Sequence, residues 1–294
     1  MYRAGKTPSN LYLRNGLHAF STTWNHSCYT LPVGHAQTKY NGAFYQTISK
    51  SSSDAAAEVV PEIVRLLAPR SVADIGCGTG AWLAAFKNHD VQEICGLDGP
   101  WVDADQLEIP RESFQKIDLS QPFVAPRRFD LAMSLEVAEH LPGEAADGFI
   151  RSLTSFSDCA LFSAAIPHQG GTDHLNEQWP EYWERRFSDA GFVAFDCLRR
   201  RFWNREAVAW WYVQNMFIFV RRGRTDILQR LSDHVSPAQS WPLSVVHPRK
   251  YQDVVDKLQV ASRRVDYLSE RPFMELVGAM GPSALRAIRR RLKR

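Results

Sequence analysis

Cysteine is scarce and unpatterned in this chain: Cys28, Cys77, Cys95, Cys159 and Cys197 are odd in number, widely spaced and form no CxxC pair. Such spacing suggests neither a disulfide framework nor a zinc ribbon, and free thiols in a reducing cytosol are the default. Long apolar runs are missing too, since no stretch approaches the roughly 18 consecutive apolar residues of a membrane span. The N-terminal MYRAGKTPSNLYL lacks the apolar segment of a signal peptide, so the expectation is a soluble, cytoplasmic protein with no membrane span. Excess charge of one sign is absent as well: a formal net charge of +3 over 294 residues leaves no strong footprint for nucleic acid or membrane. What is there is ordinary globular composition, 45% hydrophobic and 23% charged, enough for one large domain or a domain with an appended piece.

No internal repeat is visible, and three regions separate by pattern. Residues 1–53 are rich in Ser, Thr, Asn, Gly and Tyr with little periodicity, and read as an N-terminal arm or lid. A helix is predicted from about Asp54 to Leu67, stopped by Pro69 and with Pro61 tolerated inside it. Residues 54–223 then alternate. Strands are predicted at 71–76, 93–98, 113–119, 129–135, 159–166, 192–199 and 215–222, and helices at 79–89, 143–156 and 179–191. Strands alternating with helices imply an α/β fold, a mostly parallel sheet covered on both faces, with the last two strands able to pair as a terminal hairpin. Residues 224–294 turn polar and helical, a C-terminal extension ending in the basic RAIRRRLKR.

In VADIGCGTGAW a strand runs straight into Gly76, Gly78 and Gly80 and then a helix. Glycine permits backbone angles and close approach that a β-carbon would block, so a ligand can sit against such a turn and the helix start behind it. Asp98 ends the next strand 24 residues after Asp74, where a carboxylate can accept hydrogen bonds from both ribose hydroxyls. The spacing is GxGxG, not the GxGxxG of dinucleotide folds, and Asp98 in LDGP also reads as a turn residue. With Asp118 after the third strand and FDLAMS as the fourth, order and intervals resemble the class I S-adenosylmethionine-dependent methyltransferases over about residues 54–222. The resemblance implies a Rossmann-like seven-stranded sheet with S-adenosylmethionine as cofactor. Asp74 would lie near its methionine part, Gly76, Gly78 and Gly80 would form the turn against it, Asp98 would hold the ribose, and Asp118 and Leu119 would contact the adenine. It also implies a last antiparallel strand at the sheet edge, which suits NMFIFVRR.

SLEVAEHL, residues 134–141, carries Glu136, Glu139 and His140 at positions that share one face if the segment is helical. One reading is a polar helix start, because acids favour a helix N-terminus. The other is a metal site, for which His174, in the loop after the fifth strand, is the candidate fourth ligand. The chain is similar here to methyltransferases that modify the terminal ribose of small RNAs and to those that O-methylate catechols. The resemblance implies a divalent ion held by Glu136, Glu139, His140 and His174; Mg2+ or Mn2+, and also zinc or iron(II), suit such donors. Glu136, His140 and His174 are then the catalytic candidates, with His168 or His174 as general base where no metal binds.

Aromatic residues crowd the stretch from Trp179 to Phe217, among them Trp203, Trp210, Trp211 and Tyr212. Most are expected to fill core, with Trp179 and Asn176, close to His174, as substrate-binding candidates. The basic tail reads either as a solvated helix end or as a phosphate contact. The expected activity is S-adenosylmethionine-dependent O-methylation of a hydroxylated small molecule, a sugar or sugar-containing metabolite. Ribose methylation of RNA and a non-catalytic cofactor-binding partner protein are the alternatives. Nothing in the sequence fixes the oligomeric state.

Overall fold

The computed structural model describes residues 42–232 and 242–269, with side chains over 50–232 and 242–266. Helix α1 spans Gly42–Leu67 and runs through Pro61. Ala55, Ala56, Val59, Val60, Ile63, Leu66 and Leu67 recur at three- and four-residue spacing and are all buried, so one stripe of α1 faces the core. The helix starts twelve residues before the expected Asp54. Serines favour caps over helix interiors, which makes SSSD read as a start. Here a tertiary contact overrides that preference, because Ser52 and the buried Tyr212 share a hydroxyl hydrogen bond of 3.0 Å.

The strands are β1 (Ser71–Ile75), β2 (Glu93–Asp98), β3 (Phe114–Lys116), β4 (Leu131–Leu135), β5 (Cys159–Ser163), β6 (Phe192–Phe195) and β7 (Phe217–Arg221). They form one seven-stranded sheet in the order β3-β2-β1-β4-β5-β7-β6, as expected for a Rossmann-like fold. The first five are parallel, with Ala73 of β1 facing Cys95 of β2 and Ala132 of β4. β1, β4 and β5 are buried at every position, the pattern of strands covered on both faces. β7 is antiparallel to both β5 and β6. It therefore does not take the expected edge position; β6 does. Phe217, Ile218, Phe219 and Val220 point to alternate faces and are all buried, as suits a strand paired on both sides and covered on both faces.

The remaining helices are α2 (Ala81–Lys87), α3 (Ala146–Phe156), α4 (Pro180–Asp189), α5 (Arg199–Phe202), α6 (Trp210–Asn215), α7 (Thr225–Ser232) and α8 (Pro248–Ser269). Residues of α1, α2, α6 and α7 share one core layer with the sheet, while α3 and α4 fill the other. Strand order reverses between β1 and β4, so their carboxyl ends open a crevice where such sheets bind ligands. No helix among the described residues is long and apolar enough to cross a membrane. Most of the expected N-terminal arm and the basic tail lie outside the described residues.

Candidate active site

The crevice holds a cavity of about 820 Å³. Its floor is the turn after β1. Gly76, Gly78 and Gly80 all have positive φ, 87°, 55° and 93°. The turn is stitched to the end of β2, for Gly76 N–H donates to the Leu97 carbonyl at 2.7 Å and Gly78 N–H to Asp98 Oδ2 at 2.7 Å. The other Asp98 oxygen accepts from Gly99 N–H at 2.6 Å, so this carboxylate is held in a fixed pose at the cavity wall. Burial pushes the Asp98 carboxyl above its usual range, and the bonds from Gly78, Gly99 and Trp101 oppose that. Asp74, more deeply buried, is pushed well up by desolvation and then by the Asp98 charge. Asp74, Gly76, Gly78, Asp98, Asp118 and Leu119 all line the cavity. Gly80 does not. It caps α2, and a β-carbon there would meet Ile109 Cγ1 at 2.8 Å, so its glycine serves backbone and packing.

The Glu136 segment is not the helix that its spacing suggested. Only Ala138–His140 forms a 3₁₀ turn, and Glu136 stands before it at φ 56°, in the left-handed region. Its carboxylate still lies close enough to Glu139 for the two acids to interact. Glu136 Oε2 accepts from Gln169 Nε2 at 2.6 Å and Oε1 from Asn215 Nδ2 at 3.1 Å, an amide clamp on both oxygens. Burial raises the Glu136 carboxyl, and the Asn215 and Gln169 bonds offset part of that.

Glu139, His140 and His174 do come together, each offering a ligand atom within 4.8 Å of the others. The two imidazoles meet edge to face, ring centres 4.8 Å apart. Glu139 is fully buried, and among the described residues neither carboxylate oxygen makes a hydrogen bond of good geometry; His140 Nδ1 is likewise without one. Burial and then the Glu136 charge push the Glu139 carboxyl well up, and nearby backbone N–H groups of Glu139 and Ala165 offset only part. Desolvation and the neighbouring His174 lower His140, which keeps a ring nitrogen free to coordinate. His174 Nδ1 pairs with Glu177 Oε1 at 2.8 Å, leaving Nε2 available, the usual carboxylate backing of a ligand histidine. These residues fit a divalent ion, because a buried carboxyl without a hydrogen bond of good geometry is costly to enclose and the two imidazoles beside it complete a common donor set. Glu136 stands outside this trio.

Glu177, which the sequence did not single out, also accepts from the backbone N–H of His168 at 2.7 Å and of Gly170 at 2.9 Å. One carboxylate thus folds the loop that carries His174. His168, at φ 64°, does not line the cavity. Neither do Asn176 and Trp179. Asn176 is buried with its N–H on the Glu139 carbonyl at 2.9 Å, and Trp179 is 41% exposed at the start of α4. The aromatic wall is made instead by Trp82, Trp101, Trp210, Trp211 and Tyr212, with Ser51 and Ser52 of α1 beside it. Trp210, Trp211 and Tyr212 belong to the run expected to fill core. The available signal was that WWY precedes the last strand, at the same sheet end as the glycine turn. Tyr212 is pushed up to about 12 by burial, with the Ser52 bond opposing, so it is a neutral hydroxyl in the wall.

A family described as a methyltransferase domain matches residues 51–214. No curated protein matches the chain. Among solved structures, human N-acetylserotonin methyltransferase in complex with SAM is 16% identical with a TM-score of 0.44, over 60% of this chain and 55% of that one. The chain thus spans little more than half the length of that human protein. Streptomyces venezuelae DesVI is 14% identical, TM-score 0.44, over 61% of this chain and 95% of that one. CalS10, an amino pentose methyltransferase from Micromonospora echinaspora, is 16% identical, TM-score 0.44, over 61% and 95%.

Proposed function

The chain belongs to the methyltransferase-domain family, and from that premise we propose that it transfers a methyl group from S-adenosylmethionine to a hydroxyl oxygen of a small acceptor. One observation carries the choice of oxygen: the buried Glu139 carboxylate without a good hydrogen bond, next to His140 and His174, on the same cavity as the glycine turn. A divalent ion held by Glu139, His140 and His174 would polarise an acceptor hydroxyl and lower its pKa.

The chain's own groups do the rest. The turn at Gly76 and Gly78 lets the donor approach the backbone, and Asp98 is the acceptor for the ribose hydroxyls. Trp210, Trp211 and Tyr212 hold the acceptor by stacking and exclude water, so that its oxygen lies in line with the sulfonium methyl. Glu136 lines the cavity, and its burial makes the carboxylate a stronger base than an exposed one. It takes the hydroxyl proton as the carbon–sulfur bond breaks and the carbon–oxygen bond forms. The products are a methyl ether, S-adenosylhomocysteine and a protonated Glu136.

The test is release of S-adenosylhomocysteine from the full-length protein with a panel of catechol, phenol and sugar acceptors, with Mg2+, Mn2+ or chelator. Turnover confined to hydroxyl acceptors, and lost in chelator and in Glu139→Ala, is the expected result. Methyl found on nitrogen or carbon, or full turnover in chelator, overturns the reading.

A further inference from the structure

The family match ends at residue 214, yet the chain returns to the site from well beyond it. The segment from Leu243 to Lys250 crosses α4, α5 and α6 as a strap. Arg199 Nη1 donates to the Leu243 carbonyl at 2.6 Å, the Ser244 hydroxyl bonds Glu181, and His247 Nε2 pairs with the Trp203 carbonyl at 2.8 Å. The strap then makes two inward contacts. His247 N–H donates to Gln214 Oε1 at 2.8 Å, and Lys250 Nζ donates to the Gln169 carbonyl at 2.9 Å. Both land on one network. Gln214 Nε2 donates to Asn215 Oδ1 at 3.0 Å, Asn215 Nδ2 to Gln169 Oε1 at 2.8 Å, and Gln169 and Asn215 together clamp Glu136.

A lysine normally keeps its ammonium in water. Lys250 is 6% exposed, with its charge over the Trp210 ring at 5.7 Å and 3.4 Å from Asp253 Oδ2. Burying an ammonium against one backbone carbonyl, a long contact to the half-exposed Asp253 and a ring face is expensive for a residue that only anchors a helix start. Side-chain amides can present either end to a partner, so the direction of Gln169 and Asn215 depends on what fixes the groups behind them. We propose that the strap Leu243–Lys250 is a built part of the site and that Lys250 is a positioning residue, holding Gln169 and, with Asn215, the aim of the Glu136 carboxylate. The importance of that aim rests on Glu136 serving as the base proposed above; the clamp itself can be tested without any acceptor.

The experiment uses the full chain labelled with ¹⁵N at Gln and Asn side chains, with no ligand added. The Gln169 and Asn215 amide signals, identified by their displacement in Glu136→Gln, should lie outside the range of exposed amides. Lys250→Met should move both into that range, and Lys250→Arg should restore most of the displacement. Gln214→Leu, which cuts the other inward contact, serves as the second variant should Lys250→Met fail to fold. Signals that stay in place in every folded variant overturn the proposal, as does a shift spread evenly over the whole sheet.

With any acceptor that turns over, Lys250→Met should lower kcat at least tenfold while the cofactor Kd stays within twofold, and should cost nothing further in a Glu136→Gln background. An equal loss in both backgrounds marks a merely structural role and also overturns it. Full turnover by Glu136→Gln alone removes Glu136 as base while leaving the amide result to decide the clamp.

Discussion

Gly76 and Gly78 look equivalent in GCGTG, yet a methyl group would meet different surroundings at each. At Gly76 it would lie 2.3 Å from Val137 Cγ2 on a backbone at φ 87°, so strain and clash add. Gly76→Ala should therefore lower thermal stability sharply, by more than the about 1–2 kcal/mol of left-handed backbone alone. At Gly78, φ 55°, nothing lies within 4 Å. Gly78→Ala should fold, at a cost within that same figure, and lose cofactor affinity because the methyl enters the cavity. Melting curves and calorimetry with S-adenosylhomocysteine separate the two, and equal melting points for both variants would sink the distinction. Asp98→Ala should weaken the same ligand by roughly 10- to 100-fold, the equivalent of ~1.5–3 kcal/mol for hydrogen bonds to a charged group. An unchanged Kd removes Asp98 from the site. That Gly76, Gly78 and Asp98 would meet at one cavity wall was legible in the sequence, because positive φ and a fixed carboxylate are demands that few residue types meet. That Gly80, Asn176 and Trp179 lie off the cavity was not legible, because which neighbour faces a cavity depends on the path of the loop, and no local pattern encodes that path.

The parallel strands were legible for a comparable reason: a strand buried on both faces must be apolar throughout, and β1, β4 and β5 are. The position of β7 inside the sheet was not, since neighbour order is set by packing between elements and leaves little trace in either strand. Asp158, entering β5, ties that order together through Arg128 before β4 and Arg221 at the end of β7. Burial pushes its carboxyl up, but the bonds from Arg221 and Arg128 hold it below its ordinary 3.8. A depressed folded value means that the stabilisation is complete above the unfolded pKa and is lost as pH falls through the folded one. Asp158→Asn should melt below the native chain at pH 7, by about 0.5–1 kcal/mol for ion pairs this exposed. The gap should close as pH drops below 3.8. A gap that is constant with pH would assign the loss to packing. The 3₁₀ turn at Ala138–His140 carries the opposite kind of cost. In chelator and above neutral pH, Glu139→Gln should raise the melting point, because it removes a carboxyl whose ionisation burial opposes, at about 2–4 °C per kcal/mol for a chain near this size. Mn2+ should stabilise only the native chain. A variant that melts lower in chelator would mean that the ionised Glu139 has partners in solution.

Charge decides what kind of acceptor the whole molecule can hold. The six basic residues of 286–294 turn a net +3 into −3 when removed, so the remaining chain carries no surplus of cations to track a polyanion. Those residues lie outside the described structure, and the cavity they would have to serve is lined by tryptophans, a tyrosine and a few acids and histidines. A single-stranded RNA acceptor would be held through its phosphates, and its affinity would fall with salt at a log-log slope of about −0.7 for each phosphate neutralised. A small neutral acceptor is held by stacking and hydrogen bonds, which salt screens weakly. Deleting residues 286–294 should therefore leave turnover of the true acceptor within about twofold, since a neutral acceptor offers no phosphates for those six cations to hold. Turnover should also stay nearly level between 50 and roughly 200 mM salt, the interval over which phosphate-bound acceptors lose orders of magnitude. Trp210→Ala and Trp211→Ala should instead raise KM at both salt concentrations, because the wall they form is the proposed seat of the acceptor. Loss of turnover on removing the tail, together with a steep salt slope, would replace the small-molecule reading with ribose methylation of RNA.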